Sequence, residues 1–152
     1  MEKRAKAYSV VEMIVVLLFL AAFATVAIPR LNFSAITKKK ADTLARKITI
    51  DLRHTRTLAI SNGATNTVGF GLYMLGGEPY SSYEIKNLDN SDVVSSHTIT
   101  PGISCTGGAT FEFGPLGNLD GASDTSLTVS AEGKTYTITI ISATGMVKCE
   151  ES

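Results

Sequence analysis

An α+β chain, with a long N-terminal helix followed by an antiparallel β domain, is predicted from three features of the sequence. Residues Ala7 to Pro29 form an apolar run that carries a single acid, Glu12. Between Ala41 and Ala59 apolar side chains recur at three- and four-residue steps, the period of one helix face. From Thr65 onward the chain changes to short stretches rich in Val, Ile, Thr, Tyr and Phe, separated by Gly, Asn, Asp and Pro, which is the pattern of strands and turns.

The apolar run is long enough for a membrane helix, since about 20 residues cross the hydrocarbon of a bilayer. An acid near the middle of such a helix costs roughly 2.5 to 3.5 kcal/mol and somewhat less near its end. Glu12 is therefore read as a functional residue that needs a cationic partner. A cleaved secretory signal would suit the basic Lys3, Arg4 and Lys6 and the small residues around Phe23, but it leaves Glu12 inside a core that should be uncharged. A plain anchor gives Glu12 no role, and a buried soluble helix would need a larger protein around it. Three leader cations outweigh Arg30 just beyond the run, with Lys38, Lys39 and Lys40 farther away, so the N-terminus is expected to stay cytoplasmic and the rest to cross the membrane.

After Pro29 the helical period continues. Ala41, Leu44, Ala45, Ile48, Leu52, Thr55 and Ala59 line up on one face, and Asp42, Arg46, Lys47, Asp51, Arg53 and Arg56 lie mostly off it. Asn62-Gly63 ends the pattern, because both residues tolerate the left-handed conformation that closes a helix. One helix from Tyr8 to Ser61 would be about 80 Å long at 1.5 Å per residue, bent at Pro29, where a backbone hydrogen bond is lost. Expected strands run over Thr67 to Phe70, Ser82 to Lys86, Val93 to Ile99, Ala109 to Phe113, Leu127 to Ser130, Thr135 to Ile141 and Gly145 to Lys148. They form an antiparallel sheet packed on the amphipathic half of the helix. Tyr136, Ile138 and Ile140 alternate with Thr135, Thr137 and Thr139, giving one apolar and one wettable face. Glu132-Gly133 reads as a two-residue hairpin, and Gly114 to Asp124 as a loop. No internal repeat is present. The expected organisation is an apolar span ending at Pro29, an amphipathic half-helix at 30–63 and a β domain at 64–152.

Of 152 residues, about 90 are left for the globular part, enough for one core. The full chain has 14 basic and 14 acidic side chains; without Lys3, Arg4, Lys6 and Glu2 it keeps 11 and 13, a mildly acidic balance with no general attraction to nucleic acid. Cys105 and Cys149 show no metal-ligand or CxxC spacing. In an oxidising compartment an even pair suggests one disulfide; two buried free thiols are the alternative. Catalytic patterns fail: Gly133-Lys134-Thr135 lacks the earlier Gly of a phosphate loop, and His54 and His97 have no nucleophile or carboxylate in a recognisable spacing. Oxygen-rich clusters at Asp89 to Asp92 and at Asn118, Asp120 and Asp124 could hold calcium, but turn formation also explains them. Neither an enzyme nor a cofactor is indicated.

A basic leader, the small residue Ala7, the aromatic Tyr8 and Glu12 at the fifth place after the break together resemble the class III signal of type IV pilins and type II secretion pseudopilins. That resemblance implies a leader peptide at 1–7, a membrane and assembly helix at 8–29, and cleavage by a prepilin peptidase between Ala7 and Tyr8, with Ala7 where the family usually has Gly. It also implies N-methylation of Tyr8 and assembly roles for Glu12 and Pro29. Leu44-Ala45-Arg46, Asp51 to Arg56, Ala59 to Gly63, Phe111 to Gly117 and Gly145-Met146-Val147 are similar to the GspH/FimT family of minor pseudopilins and minor pilins. The family's C-terminal Arg is absent and the chain carries Glu150 and Glu151 instead. The resemblance implies a pilin-like fold and a structural subunit of a type II secretion pseudopilus, with a minor type IV pilin for pilus assembly or DNA uptake as the competing reading. The implied partners are other pseudopilins or pilins, the prepilin peptidase, inner-membrane lipid and an exported protein. The implied location is the inner membrane, single-pass, with the β domain in the periplasm.

Overall fold

The computed structural model describes residues 9–27 and 33–152. Ala7, Tyr8 and Pro29, and with them the expected cleavage point and helix bend, lie outside the described residues. The chain divides into two units, one ending at Phe33 and the other Ser34–Ser152. Helix α1 (Val10–Ala27) belongs to the first unit; helix α2 (Phe33–Ser61) is followed by eight strands.

Those strands form two antiparallel sheets where the sequence suggested one. Sheet A has the order β3-β2-β1-β5 and sheet B the order β4-β6-β7-β8. The strands are β1 (Phe70–Leu75), β2 (Ser82–Asn87), β3 (Val93–Thr98), β4 (Ser104–Gly107), β5 (Thr110–Phe113), β6 (Ser126–Ala131), β7 (Lys134–Ile141) and β8 (Met146–Glu151). The expected strand at Thr67 to Phe70 is displaced: the pairing runs from Phe70 to Leu75. Asn66 explains the shift. Its Oδ1 accepts from the N–H groups of Val68 at 3.0 Å and Gly69 at 2.8 Å, so these donors are already committed to a turn and cannot join a ladder. The short strand β4 carried no signal of its own among the surrounding Gly residues.

The helix face read from the sequence is buried: Ala41, Ala45, Ile48, Leu52, Thr55 and Ala59 are fully shielded and Leu44 nearly so. All but Thr55 join one hydrophobic core with Phe70, Leu72, Tyr83, Ile85, Phe111 and Phe113 of sheet A and Cys105, Leu127, Val129, Tyr136, Ile138, Ile140 and Val147 of sheet B. The helix ends differently from expectation. Neither Asn62 nor Gly63 is left-handed. The Asn62 backbone and side-chain N–H groups both donate to Leu58 O, at 3.0 and 2.9 Å, and Gly63 N donates to Ile60 O at 3.3 Å, so two carbonyls of the last turn are satisfied without a left-handed residue. The hairpin at Glu132-Gly133 does form, with φ of 51° and 76°, both positive as a type I′ turn requires, between the paired Ala131 and Lys134.

The expected disulfide is corrected. Both thiols are free. Cys105 lies on β4 and Cys149 on β8, the two opposite edges of sheet B, with β6 and β7 between them. Three inter-strand steps place them about 14 Å apart, twice the distance a disulfide can bridge. Cysteine parity carries no information about sheet order, which is why it misled. Burial pushes the Cys105 thiol up to about 11 from 9.0. A raised value in the folded state gives stability that is complete below the unfolded value and is lost as the pH rises from about 9 towards 11.

Two outcomes test this arrangement. Leu52→Ala should lower the unfolding free energy of the detergent-solubilised full chain by about 3 kcal/mol, whereas Ile141→Ala on the exposed face should change it by less than about 0.5 kcal/mol, both read from urea titrations. At pH 8, iodoacetamide should modify Cys149 in the native protein and leave Cys105 unmodified until urea is added. A Cys105–Cys149 bridge found by non-reducing peptide mapping would refute the strand order.

Candidate functional site

Two parts of the molecule face outward with more than a solvated surface. The first is α1. Ser9 stands just before the helix, and its carbonyl accepts from Met13 N at 3.2 Å, closing the first turn. Glu12 falls in that first turn, where a negative charge interacts favourably with the positive end of the helix dipole. Beyond Glu12 the helix has no polar face: each large apolar side chain from Val10 to Phe23 is 43 to 75% exposed. Monomeric proteins do not leave a patch of that extent in water, so this surface calls for lipid or other apolar helices. Among the described residues no helix is long and apolar enough to cross a membrane. Helix α1 has 18 residues, about 27 Å, just short of the usual 20-residue span. The sequence's apolar run continues past it at both ends into residues outside the described ones.

The second is the line along which α2 meets the sheets. Each flank of its apolar stripe carries polar groups that reach a different sheet. On the sheet A side, buried Tyr83 donates its hydroxyl to Asp51 Oδ2 at 2.6 Å. His97 lies beside them, its ring 5.2 Å from that of Tyr83, its Nε2 3.7 Å from Asp51 Oδ2 and its Nδ1 2.9 Å from Lys47 Nζ. Burial first, and then the hydrogen bond to Asp51, raises the Tyr83 hydroxyl above its usual 10.0. Tyr73 is raised in the same way by burial and by Glu112, to which it donates. Deprotonation of these two phenols is therefore easier in the unfolded chain, and both add to the loss of stability as the pH rises above about 10.

On the sheet B side, Arg53 Nη2 donates to Val147 O at 2.9 Å and Arg56 Nε to Gly117 O at 3.0 Å. Gly145 comes close enough to Gly117 that a Cβ added to it would meet the Gly117 carbonyl oxygen at 2.0 Å, and its φ is +63°. The two turns and Arg56 therefore occupy one crowded corner. A hollow of about 700 Å3 lies between Arg53, Arg56 and β8, with Lys148 and Glu150 at its rim.

The acidic clusters act as turn formers. Asp124 Oδ2 accepts from Ala109 N and Thr110 N, Asp120 Oδ2 from Ala122 N, and Asn90 Oδ1 from Asp92 N. Among the described residues no group of His, Cys, Asp and Glu is placed to hold a metal ion. His54 is an exposed helix position. The structure brings Lys47, Asp51, Tyr83 and His97 together, a network that sequence reading missed. Its signal was present in outline, since Lys47 and Asp51 are four residues apart on one flank of the stripe.

Asp51→Ala would leave the buried Tyr83 hydroxyl without a partner and should cost about 2 kcal/mol, while Tyr83→Phe removes donor and demand together and should cost about 1 kcal/mol or less. Unfolding titrations of the two variants would show this order, and an equal or reversed order would contradict the pairing.

No protein-family model matches the chain, and no curated protein sequence matches it significantly. Among solved structures, the chain is similar to the type IV minor pilin FimU of Pseudomonas aeruginosa in two crystal forms. In the P65 form the TM-score is 0.58 at 14% identity, with 72% of this chain and 91% of that chain covered. In the P21 form the TM-score is 0.60 at 14% identity, covering 74% and 89%. At that identity the likeness is one of architecture, and the α+β fold of this chain is the pilin-like fold.

Proposed function

We propose that this chain is a structural subunit of an envelope-spanning filament, specifically a minor pseudopilin of a type II secretion system, and that it works by assembly and not by catalysis. The observation that carries the reading is α1, whose apolar surface is uncovered all round and carries a single charged side chain, Glu12. Such a helix is stored in the inner membrane and then transferred into a bundle of like helices that replace lipid. The apolar run from Ala7 to Pro29 supplies the span, the basic leader keeps the N-terminus cytoplasmic, and the β domain stands in the periplasm. Prepilin peptidase cuts between Ala7 and Tyr8 and methylates the new amine. Glu12 then pairs with the Tyr8 amine of an adjacent subunit, because a carboxylate in a dry bundle is costly unless paired. Pro29 lets the helix bend between its apolar and amphipathic parts. The β domain selects neighbouring subunits and an exported protein.

The fold likeness to a type IV minor pilin favours a second reading, a subunit of a type IV pilus. Its DNA-uptake branch is disfavoured by the mildly acidic balance left once Lys3, Arg4, Lys6 and Glu2 are removed, 11 basic against 13 acidic side chains, and by the acids Glu150 and Glu151.

Two outcomes test the proposal. Mass spectrometry of the membrane-extracted protein should find a chain beginning at N-methylated Tyr8; an intact leader in cells that contain the peptidase would refute processing. Glu12→Leu should leave membrane fractionation unchanged, because it removes a charge from the span, and should reduce secretion in cells lacking the native copy to near background. Normal secretion by that variant would reduce α1 to a plain anchor. Loss of pilus assembly in the Glu12→Leu cells, with secretion unchanged, would instead select the type IV pilus reading.

A further inference from the structure

The two sheets have four outer edges, and other parts of the chain bond to the backbone of three of them. At β5, Glu112 O accepts from Asp120 N and Thr110 O from Asp124 N, each at 2.8 Å. At β4, Cys105 O accepts from Tyr80 N at 2.9 Å and Gly107 N donates to Glu78 Oε1 at 2.7 Å. At β8, Arg53 reaches Val147 O. The edge of β3 is different: among the described residues none outside β2 bonds to its backbone. Ile99 N donates to Ser81 O at 2.8 Å, which sets the phase of the ladder: the backbone groups of Ser95 and His97 turn to β2, and those of Ser96 and Thr98 turn outward. Exposed edges are usually guarded by Lys, Pro or a very short strand. β3 is six residues long, reads VVSSHT, and exposes Val93 and Val94 by about half.

Beside this edge lies a groove of about 390 Å3 between the first turns of α2 and the end of β3. Ile36 and Leu44 give it an apolar lining, Lys39, Lys40 and Lys47 carry its charge, and no acidic side chain lines it. Lys39 and Lys40 have no carboxylate within ion-pair distance among the described residues, and Lys47 is engaged only by the ring of His97. The open ladder and the row of cations share one side of the molecule.

We infer that the edge of β3 and its lysine groove form a docking site for an extended, acidic segment of another protein, which adds to sheet A as a fifth strand. Ser96 and Thr98 offer the incoming strand two N–H donors and two carbonyl acceptors. Its apolar side chains lie against Ile36 and Leu44, and its carboxylates face Lys39, Lys40 and Lys47. This is strand addition, in which the backbone supplies affinity and the side chains supply selectivity. The exposed lysines make it salt-dependent and govern the association rate more than the final affinity. The site lies wholly within Ser34–Ser152, so it stands whether α1 is surrounded by lipid or by a filament bundle.

The test uses the full chain in neutral detergent and a fluorescent peptide of alternating valine and glutamate, about eight residues long, the length of an ordinary strand. Saturable binding is expected, weakened about tenfold or more by Lys39→Glu with Lys40→Glu and by salt raised to about 0.5 M. Hydrogen exchange should slow at the Ser96 and Thr98 amides on binding and not at the β8 edge. Ser96→Pro removes an outward N–H that β2 does not use, so it should keep the unfolding midpoint and lose the peptide. The same peptide N-methylated at alternate positions should fail to bind to the unaltered chain. Absence of binding, equal binding of a valine–lysine peptide, or binding without slowed exchange would overturn the inference. Lysine-dependent binding of phosphatidylglycerol micelles, with no binding of the peptide, would make the groove a lipid head-group site and equally overturn it.

Discussion

Helix α2 has one apolar stripe and two sheets to cover it, and the position of nearly every other group in Ser34–Ser152 follows from that burial. Ile48 and Leu52 at the centre of the stripe are fully shielded. Burying roughly seven side chains along one line is favourable by several kcal/mol, far more than any single polar contact in the molecule. It also fixes the rotation of the helix. With about 100° between successive residues, Lys47 and Asp51 must emerge on one flank and Arg53 and Arg56 on the other. The first pair meets Tyr83 and His97 of sheet A, and the second meets the carbonyls of Val147 and Gly117 beside sheet B. Polar contacts thus record a rotation that apolar burial has already decided. Their value lies in leaving no buried polar side-chain atom without a partner among the described residues.

The two helices differ in what they leave uncovered. Along α2 the apolar residues are gathered on one side and hidden; along α1 they occupy every side and are exposed. A helix of the second kind is incomplete in water, and Glu12 is its one charged group. Under the proposed function, α1 carries assembly, and the β domain with its edges carries recognition.

Much of this was legible in the sequence because periodicity reports directly on burial. The stripe from Ala41 to Ala59, the alternation from Thr135 to Ile141 and the turn at Glu132-Gly133 were each fixed by local rules that tertiary structure did not override. Features that depend on order in space were not legible. Asn66 moved the start of β1 by spending its side chain on Val68 and Gly69. β4 is four residues long and flanked by Gly, below the length at which alternation can be seen. The split into two sheets placed Cys105 and Cys149 at opposite edges, a separation that no count of cysteines could reveal. For the assembly site the sequence remains the richer source, since Ala7, Tyr8 and Pro29 lie outside the described residues and only Glu12 is seen, in the first turn of α1.

The central claim is that the exposed face of α1 is covered by the helices of other subunits. Photo-cross-linking from Phe19, replaced by benzoylphenylalanine in cells with an active secretion system, tests it most directly. The account predicts a cross-link to the N-terminal helix of another pilin-like protein, formed at Phe19 and lost when the adjacent subunits are deleted. Cross-links to lipid alone, unchanged by that deletion, would contradict it.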